Sequence, residues 1–579
     1  MGKRINIFFS FLVALYFLFI YYYSALSLEN ISWVGFFSND NIYLLEQFIL
    51  KIKGYEFEKN FNSGQVEYGI EFYILKNIFN FLNINKIISN KVYYLYIISI
   101  IHIFSSIISI IYIKKILNFF NIKKILQVIF LVIFFSLPTI IEGVAALKPD
   151  ANIVLTFIII SFYFHLQFLQ NKSFKDYFLS IFFLTFAASI KFWGFFLLPA
   201  YLLSYIILKE KKIIPNKYYL LINIFSIFIF FYIIKKFTFF IYEEYLITEN
   251  IKNLGHYNLI SLKFSFVIET INFLTINENL YLIFSVILFF LVYLLIKCTR
   301  NINFKYFIST ISIFFIIWFL ISFEFILDHE KFLKSNFYFF LNSLYLPKNF
   351  ITKSILNYFF DILVIVGFFI GYLKFPLIKK NIFILNLYMV FLIFFILYLG
   401  LSRFAGGVNI YLFFLLLLNF VLIFTYFDFI RNFILKNLSM TFVFIIIFLC
   451  YNLNIFYLEN SNKKLIVNEV EILFKKYKNY NKYFCNHNFP TTIFVKKNFK
   501  VIREEDCEKA LNNTNILDNE SIFIINSDFF IKYEYLIKNS YYILDMVNIL
   551  QNNLEKFKNS KIDNKIFYII KRIEVDSVF

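Results

Sequence analysis

Residues 125–169 read ILQVIFLVIFFSLPTIIEGVAALKPDANIVLTFIIISFYFHLQFL. Two apolar runs, 125–146 and 151–169, flank the tetrapeptide Leu147-Lys148-Pro149-Asp150. Each run is close to the ~20 residues with which an α-helix crosses the hydrocarbon core of a bilayer. The polar break between them carries an acid at the end of a span. Such a group is costly to hold near lipid, which makes it a functional candidate. Pro149 suits the first position of the following helix, where its missing N–H leaves nothing unpaired. Asp150 then stands near a helix N-terminus, where a negative charge is favoured.

The same pattern recurs along the chain. Across 579 residues, 60% are hydrophobic and 16% charged, with a mean hydropathy of +0.71, whereas soluble chains carry roughly 25% charged residues. Apolar runs fall near 5–27, 92–113, 125–146, 151–169, 177–191, 193–208, 218–241, 280–297, 306–327, 355–373, 381–400, 408–427 and 439–457. We read these as about thirteen transmembrane helices of an α-helical polytopic membrane protein. The runs 177–191 and 193–208 are short, as in a partly re-entrant pair. The first run, after Met1-Gly2-Lys3-Arg4, has the look of a signal peptide. It is long, and later segments need its orientation, so it is read as a retained span.

Basic residues set the orientation. Lys3-Arg4 and the loops 114–124, 172–175, 209–217, 297–305, 374–380 and 431–436 alternate with less basic connections and fall on one side. By the positive-inside rule that side, with the N-terminus, is cytoplasmic. The net charge of +19 is thus spread over short loops, with neither the basic tail nor the motifs of a nucleic-acid partner. The long connections 28–91, 242–279 and 328–354, and the tail from Glu459, then lie outside. Segments 41–53 and 71–82 of the first outer loop carry apolar residues at helical spacing, the pattern of helices on a membrane surface. The chain divides into a transmembrane domain, 1–458, and a soluble extracytoplasmic α/β domain, 459–579, with strands expected at 492–495, 521–525 and 565–570 and a helix over 468–477. Cys485 and Cys507 in the tail pair if it faces an oxidising compartment; two free thiols is the equal alternative. His102 and His165 stand alone on apolar helices and His256, His329 and His487 are scattered, so none is assigned to a metal.

This topology puts Asp40, in Ser38-Asn39-Asp40-Asn41, on the same face as Asp150. Two carboxylates at one cleft can share general-base work and the binding of a sugar or a metal. Lys148-Pro149-Asp150, a long apolar helix, a basic loop, and then Ala188-Ser189-Ile190-Lys191-Phe192-Trp193-Gly194-Phe195-Phe196-Leu197-Leu198-Pro199-Ala200 follow in order. Together they resemble the core of the GT-C superfamily of membrane glycosyltransferases. The nearest branch is that of the protein O-mannosyltransferases and the lipid A aminoarabinose transferase, with an Arg-Pro-Asp-like motif and a Leu-Thr-Lys-x-x-Gly-x-Leu-Leu-Leu-Pro-like motif. The first-loop acid of that family matches Asp40, with Asn41 where a second acid is common. Glu67-Tyr68-Gly69-Ile70-Glu71-Phe72-Tyr73 resembles its Glu/His-x-Pro-x-x-x-Tyr segment, with Gly69 in place of proline. Ser402-Arg403-Phe404 resembles an Arg-Tyr motif without the usual downstream prolines. The resemblance covers residues 35–210 and thins beyond them; the span number and an outward soluble tail are similar to the aminoarabinose transferase.

The resemblance implies a GT-C-like fold and transfer of a sugar from a polyprenyl-phosphate donor to a lipid, glycan or protein acceptor at the outer membrane face. Asp40 is then the base that takes the acceptor proton, Asp150 orients the acceptor, and Glu67 is nearby. The leaving phosphate needs cations. Lys191, Arg403 and Lys148 are the candidates, with Lys235 and Lys236 behind them. No metal ligand set or cofactor is assigned; the family varies in its use of a divalent ion. The rival reading is a lipid or glycan transporter or flippase. That class shows repeated halves or paired broken helices with charges at mid-membrane. Here no internal repeat is visible and the acids gather in outer loops.

Overall fold

The computed structural model describes residues 91–137, 140–141, 152–190, 197–207, 219, 221–226, 302–328, 355–401 and 405–437, single positions over 440–447 and 476–477, and 481–484, 499–501, 521–526, 530–531, 533–548 and 566–572. The expected spans 5–27 and 280–297, the surface helices of the first outer loop, Lys235, Lys236, the strand at 492–495 and both tail cysteines lie outside them.

The first part is helical: α1 (Lys91–Phe119), α2 (Lys124–Phe135), α3 (Ile153–Asn171), α4 (Phe174–Ile190), α5 (Leu198–Ile207), α6 (Ile302–Asp328), α7 (Ile355–Leu373), α8 (Phe375–Ile378), α9 (Ile382–Leu401), α10 (Ala405–Tyr426) and α11 (Asp428–Lys436). These sequences are rich in Ile and Phe, which gain little from intrinsic helix propensity. The helical state is the one that suits so apolar a sequence in a hydrocarbon surround, where only a helix or a closed barrel pairs every backbone N–H and C=O internally. Within the described residues, 100–119 and 153–171 are each long and apolar enough to cross a membrane, and 410–426 with 428–436 form a pair bent by 94°. α5 holds 10 residues, a reach of ~15 Å at 1.5 Å per residue.

Local chemistry sets the turns. α3 stops at Lys172, whose φ of 56° is left-handed and whose N–H bonds the Phe168 carbonyl. Ser173 then caps α4: the Asp176 N–H donates to Ser173 Oγ at 3.1 Å, and the Ser173 hydroxyl donates to the Asp176 carboxylate at 2.7 Å. This reciprocal cap leaves no slack, so α3 and α4 run antiparallel, with Phe157 beside Phe186 at 4.6 Å. α1 runs parallel to α3, with Ser105 bonded to Thr156 and Tyr112 stacked edge-on against Tyr163 at 5.1 Å. Asn381 caps α9 through bonds from the N–H groups of Phe383 and Ile384.

The alternation gathers one set of helix ends at a common pole. Phe119 touches Tyr163 and Phe383, at 5.9 and 5.4 Å. Tyr177 touches Phe168 and Tyr306, at 5.4 and 5.7 Å. Lys374 Nζ lies 5.5 Å from the Phe427 ring. These contacts join the ends of α1, α3, α7 and α10 to the starts of α4, α6 and α9, the segments that carry Lys114, Lys172, Lys305, Lys374 to Lys380, and Arg431. The starts of α3 and α10 and the ends of α4 and α9 form the opposite pole.

Buried polar side chains tie the helices together between the poles. His165 of α3 stacks on Tyr201 of α5 with centroids 3.9 Å apart. Ser161 donates to the Ser180 carbonyl of α4 at 2.6 Å and bonds the Tyr201 hydroxyl at 2.9 Å. Asn386 of α9 bonds His165 Nε2 at 3.0 Å and the Ser204 hydroxyl of α5. Lipid tails give apolar faces no reason to seek one another, so such hydrogen bonds and close packing hold membrane helices in register. Gly371 supplies the close approach of α7 to α9: a Cβ there would meet the Tyr388 ring at 2.1 Å.

The C-terminal part forms a five-stranded mixed sheet in the order β2-β1-β3-β5-β4, from β1 (Asn481–Phe484), β2 (Phe499–Val501), β3 (Ser521–Asn526), β4 (Tyr541–Asn548) and β5 (Ile566–Arg572), with α12 (Glu534–Ser540) before β4. β1 pairs in parallel with β2 and β3, and β5 is antiparallel to β3 and β4. β3 is central because Ile522, Phe523, Ile524 and Ile525 are all buried; a continuous apolar run suits a strand covered on both faces. The edge strand β4 carries an irregularity between Ile543 and Asp545, a device that blunts pairing at an open edge.

Candidate functional site

Asp40, Glu67, Lys148, Asp150, Lys191 and Arg403 lie outside the described residues. The described chain borders three of them. Asn152 follows Asp150 by two residues, Ile190 immediately precedes Lys191, and Leu401 and Ala405 stand two residues either side of Arg403. These borders are the start of α3, the end of α4, and the facing ends of α9 and α10. All belong to the pole opposite the lysine-rich ends.

The start of α3 is held by a buried polar clamp. Asn152 occupies the N-cap with φ −127° and ψ −60°, yet its side chain makes no capping bond to its own helix. An asparagine here normally accepts from an N–H of the first turn, worth about 1 kcal/mol. Instead the amide turns to α1. Nδ2 donates to the His102 carbonyl at 2.8 Å and lies 3.3 Å from His102 Nδ1, while Oδ1 accepts from the Ser106 hydroxyl at 3.1 Å. One turn on, Ser105 Oγ donates to Thr156 Oγ1 at 2.7 Å, and Ser109 Oγ lies 2.7 Å from the same oxygen. The Thr156 hydroxyl also donates to the Asn152 carbonyl at 2.9 Å. Asn152, Thr156, His102, Ser105, Ser106 and Ser109 are all buried.

The arrangement fixes both the axial position and the rotation of the first turn of α3 against α1. It also leaves the first-turn N–H groups of α3 unoccupied by the Asn152 side chain, and that end of a helix favours a negative charge. In the sequence alone His102 stands isolated on an apolar helix. The signal that identifies its role is the spacing: His102, Ser105, Ser106 and Ser109 fall at i, i+3, i+4 and i+7, one polar face on an otherwise apolar helix. Among the described residues, no group of His, Cys, Asp and Glu side chains is gathered to hold a metal ion. No family model matches the chain, and no curated protein matches its sequence.

Proposed function

We propose that the chain is a glycosyltransferase that moves a sugar from a polyprenyl-phosphate donor to an acceptor at the outer face of the membrane. The acceptor hydroxyl oxygen attacks the anomeric carbon, and the bond from that carbon to the phosphate oxygen breaks with inversion. The electron pair leaves on the lipid phosphate, and Asp40 takes the acceptor proton. Asp150 orients the acceptor with Glu67 beside it. Lys191, Arg403 and Lys148 offset the charge that develops on the phosphate, the role in which oriented cations act most strongly.

The observation that supports this reading is the company of the described helix ends that border three of the motif residues. The described helix ends bordering Asp150, Lys191 and Arg403 meet at one pole, and the lysine-rich ends meet at the other. If the lysine-rich pole is cytoplasmic by the positive-inside rule, the acid and the two cations belong to the outer face, where a lipid-linked donor presents its sugar. The separate substitutions Asp40→Asn and Asp150→Asn test the proposal, with glycan transfer measured in membranes at matched protein level. Transfer is lost in each variant under this reading. Unchanged transfer in both overturns the site.

A further inference from the structure

The helix α11 has no part in that reaction. It follows α10, whose 22 residues span ~33 Å, enough to cross a hydrocarbon core unaided. At Phe427 the chain turns by 94° into α11. The turn is held by Arg431, which pairs with Asp428 and points its guanidinium at the Phe424 carbonyl near the C-terminal end of α10. A helix perpendicular to a membrane-crossing one lies along the membrane plane. Beyond it, Met440, Val443, Phe444 and Ile447 are exposed at helical spacing, as on a lipid-facing helix that leaves the same surface.

The two faces of α11 differ. Ile434 and Leu435 pack against the helical core. The outward face presents Phe429 and Phe433, stacked at 6.5 Å and 81% and 52% exposed, with Lys436 one turn on. Two exposed phenylalanines have no place in water, and a lysine has none in hydrocarbon. The headgroup boundary accommodates both. The neighbouring connection repeats the pattern: Tyr372 and Phe375 are exposed beside the exposed Lys379 and Lys380, and Lys374 joins the two connections through the Phe427 ring at 5.5 Å.

We infer that α11 is an interfacial helix whose Phe429–Phe433 face enters the lipid bilayer at the lysine-rich pole, with Lys436 among the phosphate-bearing headgroups. An apolar face of this kind seats about 5–10 Å into the headgroup and acyl boundary. The inference does not depend on the transfer reaction. It is tested by placing Trp at position 429, and in a second variant at 433, in the full chain reconstituted into vesicles of phosphatidylcholine and phosphatidylglycerol. Emission is read as the difference from the unaltered chain. Phe429→Trp and Phe433→Trp emission is blue-shifted, loses most of its intensity when lipids brominated near the top of the acyl chains are included, and is quenched by acrylamide several-fold less than free N-acetyltryptophanamide. Emission quenched by acrylamide like the free compound, and untouched by brominated lipid, overturns the inference. So does emission shielded from both quenchers, which would mean that protein covers this face.

Discussion

Substitution of Asn152 by Leu keeps the branched outline of the side chain and removes the hydrogen bonds that Asn152 itself makes to α1, leaving those of Thr156 with Ser105 and Ser109 in place. Asn152 makes three such contacts, to the His102 carbonyl, His102 Nδ1 and Ser106 Oγ. Side-chain hydrogen bonds between membrane helices average about 0.6 kcal/mol and reach about 1.7 kcal/mol, so three amount to about 2 kcal/mol. Ser106 keeps its bond to the His102 carbonyl, which limits the further cost of stranding its hydroxyl. Titration of the purified protein with denaturing detergent in mixed micelles measures the loss. The cycle of Asn152→Leu, Ser106→Ala and the double variant isolates one bond, with a coupling of about 0.6 kcal/mol expected. Because the clamp fixes the first turn of α3, two residues from Asp150 in sequence, the proposed reaction predicts that Asn152→Leu also lowers transfer per folded molecule. Stability equal to that of the unaltered chain, with strictly additive single effects, would refute the clamp as the anchor of α3.

Gly371→Ala destabilises by about 1–3 kcal/mol, the cost of overpacking, because its Cβ would meet the Tyr388 ring at 2.1 Å. Gly367→Ala is milder, since its nearest atom is the Asn419 side-chain nitrogen at 3.0 Å; thermal unfolding in detergent gives the order. Lys172→Gly stabilises by up to about 1 kcal/mol by relieving a side chain held in the left-handed region, read by the same unfolding assay. Under the proposed reaction, Arg403→Met lowers transfer more than Arg403→Lys, since a lysine keeps the charge and would lose only the two-pronged geometry of a guanidinium on phosphate; initial rates at saturating donor separate them.

Most of the helical part was legible because length and hydropathy act locally. The runs 92–113, 151–169, 177–191, 306–327, 355–373, 381–400 and 408–427 each coincide with a helix to within a turn or two. Helix ends extend past the apolar runs where lysines continue the helix, as Lys114 and Lys115 do in α1. The segment 431–436 reads as a basic loop in sequence, yet it is the second half of α11. Its apolar residues alternate with charges over too short a window to signal a helix without the bend that precedes it. In the tail, β3 and β5 were visible as apolar runs. β1 (NKYF) and β2 (FKV) are too short and polar to stand out, and exist through their pairing with β3 and with each other. The candidate acids and cations are legible only as motifs. The polar clamp beside them depends on two helices 50 residues apart in sequence, and only its α1 half leaves a periodic trace.

Release of free polyprenyl phosphate tests the transfer reaction most directly. Purified protein is incubated with lipid-linked sugars extracted from its native membrane, and the lipid fraction is read by mass spectrometry. The unaltered chain releases polyprenyl phosphate and yields a product of inverted anomeric configuration, and Asp40→Asn releases none. Recovery of the lipid-linked sugars intact, with their movement across a vesicle membrane whenever the protein is present, would contradict transfer and identify a transporter.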